Sequence, residues 1–374
     1  MANRIKEKYM AGKRYFDYPM LFLVIFLICF GLVMIYSTSS YKSTVTYGNS
    51  YHWLLRQAVA IVLGAVAMVV CCKLDYRIIK SEKFGNGCYW ASIVLLVLVL
   101  IIGAAKKGAV RWISIAGFQF QPSEVSKILV VIYLANRLSA NAHKIRTFKD
   151  SIVIVLPTVP IIALIVTQNL STALVVCSMI GVMLFVVSPK MKELMLTAGG
   201  GIILLFVYLL TANSYRNERV QIWLHPESHK KGFQTMQALY AIGSGGIFGK
   251  GLGQSMQKMG FIPESHNDMI FSIICEELGL FGGIAVILIF LLLIWRLMII
   301  ANNASDLFGA LLVVGVLGHI AIQVILNVAV VTNSMPNTGV SLPFISYGGS
   351  SILFLLIEMG LVMSVARGIK VRDV

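Results

Sequence analysis

Acidic side chains cluster in the stretch 261–279, directly before and inside a long apolar segment. Glu264, His266 and Asp268 come first, and the apolar segment continues to about Trp295. A carboxylate at the mouth of a membrane helix is expensive unless water, a cation or a substrate meets it, which makes Asp268 a candidate functional acid. The alternative is a solvated helix start, in which the helix dipole and free N–H groups stabilise Asp268.

Two further acids, Glu276 and Glu277, lie within the apolar segment itself. Positions 268 and 276 are separated by roughly two helical turns. We therefore expect Asp268 and Glu276 to lie close to one face of a helix that begins at Asp268.

The composition excludes a soluble domain. Hydrophobic residues make up 58% of the 374 residues, charged residues only 13%, and the mean hydropathy is +0.84. Long apolar runs recur along the chain and predict an all-α polytopic membrane protein. The first run, about 20–36, is interpreted as a retained anchor because it follows a basic arm without a cleavable signal pattern. The six cysteines lie in or beside apolar runs without metal-ligand spacing, which favours packing over disulfides.

The net charge of +15 indicates the class of partner. It suits the anionic cytoplasmic leaflet of a membrane and an anionic, including a phosphorylated, substrate. Nucleic-acid binding is the weaker interpretation, because the basic residues are spread through loops and no recognition motif is present. We therefore expect no nucleic-acid partner.

The distribution of basic residues predicts the topology. Positive-inside logic places the arm, residues 1–19, and the tail, residues 366–374, in the cytoplasm. About ten spans fit between them as a single integral-membrane domain, and one long loop, residues 212–267, lies outside. The predicted spans are 20–36, 53–71, 89–103, 122–138, 152–166, 172–187, 194–211, 268–300, 307–331 and 343–365.

The long outer loop carries basic residues against the usual bias, and it is rich in glycine between positions 241 and 253. The glycines are typical of tight turns whose backbone N–H groups can approach an anion. The spacing is not that of a nucleotide P-loop, because Lys250 is followed by Gly251. With Arg216 and Lys250, the loop is interpreted as a substrate-binding element; a flexible re-entrant loop is the alternative.

One pair of opposite charges stands near the outer end of the fourth span. Glu124 and Lys127 are spaced i, i+3 and can face each other. We expect Lys127 to lie close to Asp268. Because an opposite charge within ~4–6 Å favours the ionised form, Lys127 then keeps Asp268 charged.

Other polar residues interrupt the last two spans. His319, Gln323 and Asn327 recur every four residues and form one stripe, for which interhelical hydrogen bonding is the commoner explanation and a proton relay the alternative. Glu358 is unexplained by the sequence. The run 335–351 is dense in Pro and Gly, which predicts broken backbone that lines a cavity or is buried in protein.

These motifs together resemble the shape, elongation, division and sporulation family, whose members include the FtsW, RodA and SpoVE proteins. The resemblance covers essentially the whole chain. Its motifs are Pro263-Glu-Ser-His-Asn-Asp-Met-Ile-Phe271 with Glu276-Glu-Leu-Gly279, Gln121-Pro-Ser-Glu-Val-Ser-Lys127, Gly243-Ser-Gly-Gly-Ile-Phe-Gly-Lys-Gly-Leu-Gly253 and Leu342-Pro-Phe-Ile-Ser-Tyr-Gly-Gly-Ser-Ser351. Smaller similarities are Arg56-Gln57, Leu74-Asp-Tyr-Arg77 and Gly108-Ala-Val-Arg-Trp112.

The resemblance implies a peptidoglycan glycosyltransferase of the bacterial cytoplasmic membrane. Such enzymes polymerise lipid II outside the membrane in complex with a class B penicillin-binding transpeptidase. The family's essential aspartate corresponds to Asp268, and its acid and lysine of the fourth span to Glu124 and Lys127. Because fixed cations stabilise a leaving pyrophosphate, Lys127, Arg111 and Arg216 are candidates for holding it. The full set of candidate substrate-binding residues is Lys127, Glu124, Arg111, Arg56, Arg216 and Lys250. No cofactor is implied with certainty, although a divalent cation is compatible with the chemistry.

Two other functions fit the same sequence: a flippase for the lipid-linked precursor, and a scaffold that only holds a transpeptidase. A flippase needs polar groups along a path to the inner face, and the sequence shows few. The chain also departs from the family pattern, with Asn267-Asp268-Met269 where Thr-Asp-Phe is usual and Asn169 where the family has aspartate. The turn 336–339 lacks the lysine of some division members, so the division, elongation and sporulation branches are not separated.

Overall fold

The computed structural model describes residues 16–106, 109–115, 118–188, 193, 220–229 and 232–369. The predicted seventh span, 194–211, lies outside these residues, as do most of the basic arm, the end of the tail and Arg216.

The described chain is mostly helical. Its α-helices are α1 Tyr18–Tyr47, α2 His52–Lys73, α3 Glu82–Ile102, α4 Pro122–Asn141, α5 Phe148–Val155, α6 Val159–Gln168, α7 Leu170–Val187, α8 Phe233–Gly245, α9 Ile270–Asn302, α10 Leu307–Val331 and α11 Gly349–Arg367. Short 3₁₀ turns occupy Tyr76–Lys80, Ala142–Lys144, Leu156–Thr158 and Pro226–Ser228.

The polytopic helical architecture is confirmed. Eight helical segments of the described chain are long and apolar enough to cross a membrane, with α5 and α6 together forming one of them. Helix α4 is less apolar and is not among the eight, yet it is buried along most of its length. The number of ten spans stays a prediction. All six cysteines are free thiols, as predicted.

The first helix is longer than the sequence suggested. The polar residues 37–51 were expected to form an outer loop, but α1 continues to Tyr47, and Gly48 ends it with φ 67°. The hydroxyl groups find hydrogen-bond acceptors within the helix. Thr38 donates to the Met34 carbonyl at 2.8 Å and Thr44 to the Ser40 carbonyl at 2.9 Å. Such back-bonding lets serine and threonine occupy an apolar helix.

A small antiparallel sheet follows α3, where the sequence predicted only an outer loop. Its strands are β1 Ala104–Lys106, β2 Ala109–Ile115 and β3 Phe118–Phe120, in the order β1-β2-β3. The sheet leads directly into Pro122, the first residue of α4, where the missing proline N–H costs nothing.

Helix α10 occupies the centre of the bundle, where it packs against α4, α7, α9 and α11. The most extensive helix contact joins α2 to α11. Gly64 and Gly360 lie in that contact, and a Cβ on Gly360 would stand 2.6 Å from the Met68 carbonyl oxygen. Small residues allow this close approach of helices in a membrane, where van der Waals packing drives association.

Two predicted helix starts are wrong in a way that matters for function. Helix α9 begins at Ile270, so Asp268 lies in the preceding turns and not on one helix face with Glu276. Helix α11 begins at Gly349 rather than near Pro343, and residues 335–348 form the broken backbone that the sequence predicted. Both unwound segments lie next to the candidate site.

Candidate active site

Asp268 is half-buried in the turn that precedes α9. The Asn327 amide of α10 fixes this turn, because it donates to the Asp268 carbonyl and to the Val340 carbonyl, each at 2.8 Å. One carboxylate oxygen faces Gly339, since a Cβ added to Gly339 would stand 3.7 Å from Asp268 Oδ2. The turn of Asp268 and the segment 335–348 therefore form one joined surface.

The start of α2 completes this surface. The Tyr347 amide donates to the His266 carbonyl at 2.9 Å, and the Trp53 ring lies 5.2 Å from His266 and 4.9 Å from Tyr347. Gln57 holds the same segment through its Oε1, which accepts from the Gly348 amide at 3.1 Å. The exposed Arg56 is in hydrogen-bonding contact with the Tyr347 side chain. The structure thus brings Arg56 to the segment 335–348, which Asp268 faces.

Glu124 and Lys127 face each other, as their spacing predicted. Lys127 Nζ lies 2.9 Å from Glu124 Oε1, and only 1% of the lysine side chain is exposed. Glu124 is also hydrogen-bonded by Ser351 in the first turn of α11, four residues beyond Tyr347. The short stretch from Tyr347 to Ser351 therefore links this pair to the surface around Asp268. The expectation that Lys127 keeps Asp268 ionised stays a prediction.

One member of the polar stripe of α10 makes an interhelical hydrogen bond, the commoner explanation for such a stripe, and another binds an unwound segment. His319 Nδ1 lies 2.8 Å from Glu358 Oε2 on α11, and this gives Glu358 the partner that the sequence did not identify. Asn327 binds the Asp268 turn. His319 also lies within electrostatic range of Glu124. We call Glu124, Lys127, His319 and Glu358 the bundle cluster.

The glycine-rich loop is built differently from the sequence prediction. Lys250 Nζ donates to Glu276 Oε1 at 2.7 Å, and the backbone amides of Lys250 and Gly251 donate to the carbonyls of Glu276 and Glu277 at 3.0 and 2.9 Å. These amides and this lysine were expected to bind an anionic substrate. In the structure they bind α9.

Lys258 is the residue of this loop that the sequence analysis missed. Its Nζ donates to Glu277 Oε1 at 2.7 Å and to the Ser37 hydroxyl at 3.0 Å. Ser37 donates in turn to Glu277, and Ser255 donates to Glu276. Glu276 and Glu277 are wholly buried in a membrane helix, where acids require cationic partners. That requirement is the feature of the sequence that could have identified Lys258. We call Ser37, Lys250, Ser255, Lys258, Glu276 and Glu277 the loop-anchor cluster.

Comparisons with known proteins identify the family of this chain. The family model for FtsW, RodA and SpoVE, described as cell cycle protein, matches residues 18–370. The chain is 37% identical over 365 residues to the probable peptidoglycan glycosyltransferase FtsW of Geobacter metallireducens, covering 95% of this chain and 96% of the relative. It is also 37% identical to the stage V sporulation protein E of Bacillus subtilis, covering 94% and 97%.

The chain belongs to the FtsW/RodA/SpoVE family. Its fold matches a chain from a solved peptidoglycan synthase complex, described as coordinating polymerization and crosslinking, with a TM-score of 0.80 and 30% identity. That match covers 94% of this chain and 98% of the other. The chain is thus a multi-pass membrane protein of a family whose curated relatives are named as glycosyltransferases.

The remaining candidate residues of this FtsW/RodA/SpoVE chain are placed only in part. The backbone of Arg111 lies in strand β2, and Arg216 is outside the described residues, so their roles stay predictions. Within the described chain, no three or more His, Cys, Asp or Glu side chains are grouped to hold a metal ion. A requirement for a divalent cation therefore stays a prediction, and we derive no step through one.

Proposed function

We propose that this chain polymerises lipid II on the outer side of the bacterial cytoplasmic membrane, together with a class B penicillin-binding transpeptidase. The relatives named as peptidoglycan glycosyltransferases and the similar chain in a peptidoglycan synthase complex support this activity and this partner. The observation on which the proposal depends is the position of Asp268, in an unwound turn that Asn327 fixes and against the broken segment 335–348.

The proposed reaction uses Asp268 as a general base. Its carboxylate takes the proton of the acceptor sugar hydroxyl while that oxygen attacks the anomeric carbon of the donor. The new glycosidic bond forms as the bond from the anomeric carbon to the pyrophosphate oxygen breaks, and the polyprenyl pyrophosphate leaves. A positioned base contributes about 10²–10⁴-fold to such a step.

Cations near this surface are proposed to hold the leaving pyrophosphate, because fixed positive charge stabilises the negative charge that develops there. Arg56 is exposed and contacts Tyr347, beside the segment that Asp268 faces. Lys127 is the buried candidate, linked to the same segment through Glu124 and Ser351. Arg111 and Arg216 remain candidates on the strength of the resemblance and of their charge.

The test is polymerisation of purified, detergent-solubilised lipid II by this chain with its co-purified transpeptidase. We expect Asp268→Ala and Asp268→Asn each to reduce the rate by about 10²-fold or more, because neither side chain accepts the proton. Glu264→Gln is the matched control from the same loop and is expected to retain most of the activity. Co-purification of the transpeptidase should be unchanged in all three variants.

The same assay separates the two alternatives. A scaffold keeps its polymer yield when Asp268 is replaced, because the synthesis belongs to its partner. A flippase moves its substrate across a bilayer and forms no polymer, so it shows no activity in detergent solution. Full activity of Asp268→Asn in this assay would contradict the proposed role of Asp268.

A further inference from the structure

The bundle cluster holds more charge than the proposed reaction uses. Lys127, His319 and Glu358 are 1%, 2% and 1% exposed, and Glu124 is 8% exposed. They come from three helices, α4, α10 and α11, that meet in the core of the bundle. The proposed function employs Lys127 alone. His319 and Glu358 therefore need a separate explanation.

A purely structural role leaves part of this arrangement unexplained. Networks that only join helices are expected to satisfy their buried polar atoms. Among the described residues, His319 Nε2, Glu358 Oε1 and Gln323 Oε1 are buried without a hydrogen-bond partner. A buried carboxylate is costly unless it is paired with a cation, and the basic side chain that contacts Glu358 in the described chain is His319, at 2.8 Å.

We propose that His319, held by Glu358, is a positioning residue that acts through Glu124 to set how strongly Lys127 attracts the phosphate groups of the substrate. This inference rests on the proposed role of Lys127 in binding pyrophosphate. It adds His319 and Glu358 to the set of residues on which substrate binding depends, although neither is proposed to touch the substrate.

The mechanism follows from the sharing of one carboxylate between two cations. Glu124 neutralises Lys127 directly, at 2.9 Å, and it also lies in the field of His319. Helices α4 and α10 pack closely here: a Cβ on Gly315 would stand 2.5 Å from the Val131 side chain, and His319 and Lys127 each lie about one turn from that contact. A protonated His319 draws part of the charge of Glu124 to itself, which leaves Lys127 more attractive to a phosphate. Without that cation, Glu124 pairs with Lys127 alone. In the low dielectric of the bundle such redistribution of charge is strong.

The decisive variant is His319→Gln combined with Glu358→Gln. Removing both charges avoids the buried unpaired ion that either single change leaves, so we expect the double variant to unfold at nearly the temperature of the parent. We expect its KM for lipid II to rise about tenfold, a size typical of residues that share a network, with kcat changed less than about twofold. If stability and KM both match the parent, the pair only joins helices and the proposal is wrong.

Two further variants keep the test decisive if the double variant does not fold. His319→Lys keeps a cation between Glu358 and Glu124 and should retain the parental KM, whereas His319→Gln should not. Equal KM values for these two variants would contradict the proposal. Ser364→Ala is the matched control on α11: it removes a buried hydroxyl that binds the Leu74 carbonyl, nearly two helical turns beyond Glu358, and should lower stability without raising KM.

A Lys127→Gln variant separates failure of this inference from failure of the proposed function. If Lys127→Gln raises KM and the double variant does not, Lys127 binds the substrate but His319 does not tune it. If Lys127→Gln leaves KM unchanged, Lys127 is not a pyrophosphate ligand, and the inference fails together with that part of the proposed function. The role of Asp268 is judged by its own variants in either case.

Discussion

The loop-anchor cluster and the bundle cluster both bury two acidic side chains with two basic partners, but they differ in how completely the hydrogen bonds of those groups are satisfied. In the loop-anchor cluster, Glu277 accepts from Ser37 and Lys258, and Glu276 accepts from Lys250, Ser255 and the Met256 amide. In the described part of the bundle cluster, Glu358 Oε1 and His319 Nε2 have no partner. The two clusters therefore bury similar groups, but within the described chain only the first has hydrogen-bond partners for all of its buried polar atoms.

The difference indicates which cluster stabilises the fold and which retains unused hydrogen-bonding capacity. A satisfied buried network rigidifies its surroundings. The loop-anchor cluster ties residues 246–258 to α9, and the chain then leads directly through 261–269 to Asp268. The unused hydrogen-bonding capacity of the bundle cluster lies at His319 and Glu358, in the core of the bundle. Under the two proposals above, the first cluster stabilises the site and the second adjusts substrate binding.

The largest expected effect comes from Glu277→Ala. This change leaves Lys258 as a buried cation, with 6% of its side chain exposed and its ionic partner gone. Breaking a buried pair in this way costs about 3–5 kcal/mol. We expect a large fall in the unfolding temperature of the solubilised protein. Glu277→Gln with Lys258→Met is the control, because it removes both charges and should recover most of the loss.

The backbone that carries the loop-anchor cluster gives the second prediction. Gly279 has φ 71° inside α9, and an added Cβ would stand 2.3 Å from the Ile247 carbonyl oxygen. We expect Gly279→Ala to destabilise the protein by about 2–3 kcal/mol through backbone strain and this clash. Gly181→Ala in α7 is the matched control, since nothing lies within 4 Å of the Cβ it adds. Equal unfolding temperatures for the two variants would contradict a conformational requirement at Gly279.

The same two clusters show what the sequence alone can and cannot predict. Local spacing was sufficient for the Glu124–Lys127 pair, because residues at i, i+3 on a helix are neighbours whatever surrounds them. It was not sufficient for the start of α9. The Asp268 turn is fixed by Asn327 and by the Tyr347 amide, which are distant in sequence. In the continuation of α1, Ser37 likewise binds Glu277, a partner that no local pattern identifies.

A third prediction concerns Lys250, the exposed member of the loop-anchor cluster. Its side chain is 33% exposed, so its pair with Glu276 is partly screened by solvent. We expect Lys250→Gln to cost less stability than Glu277→Ala, about 1–3 kcal/mol, because the buried Glu276 loses its cation but keeps the hydrogen bonds from Ser255 and the Met256 amide. The KM for lipid II should stay nearly unchanged. A KM that rises severalfold, together with a weaker dependence of binding on salt, would instead support the interpretation of this loop as a pyrophosphate site.

The smallest effect is expected at an ion pair outside both clusters. Asp306 caps α10 by accepting from the Gly309 amide at 3.0 Å, and it pairs with Lys80 at 2.8 Å. Partial burial alone would raise the pKa of Asp306, but the hydrogen bonds from Lys80, Gly309 and Tyr76 outweigh it and lower that pKa below the ordinary value. An acid whose pKa is lower in the folded protein contributes stability above its unfolded pKa, and the contribution is lost as the pH falls through the folded value.

Asp306→Asn keeps a capping side chain and removes only the charge. Because the Lys80 side chain is 47% exposed, solvent screens the pair, and we expect a loss of only about 0.5 kcal/mol near neutral pH. The difference in unfolding temperature between parent and variant should shrink as the pH falls below the ordinary range of an aspartate. Lys80→Met should give a loss of the same size, since it breaks the same pair from the other side. A loss as large as that of Glu277→Ala would show that exposure does not separate these ion pairs, and the contrast between buried anchor and surface pair would then be wrong.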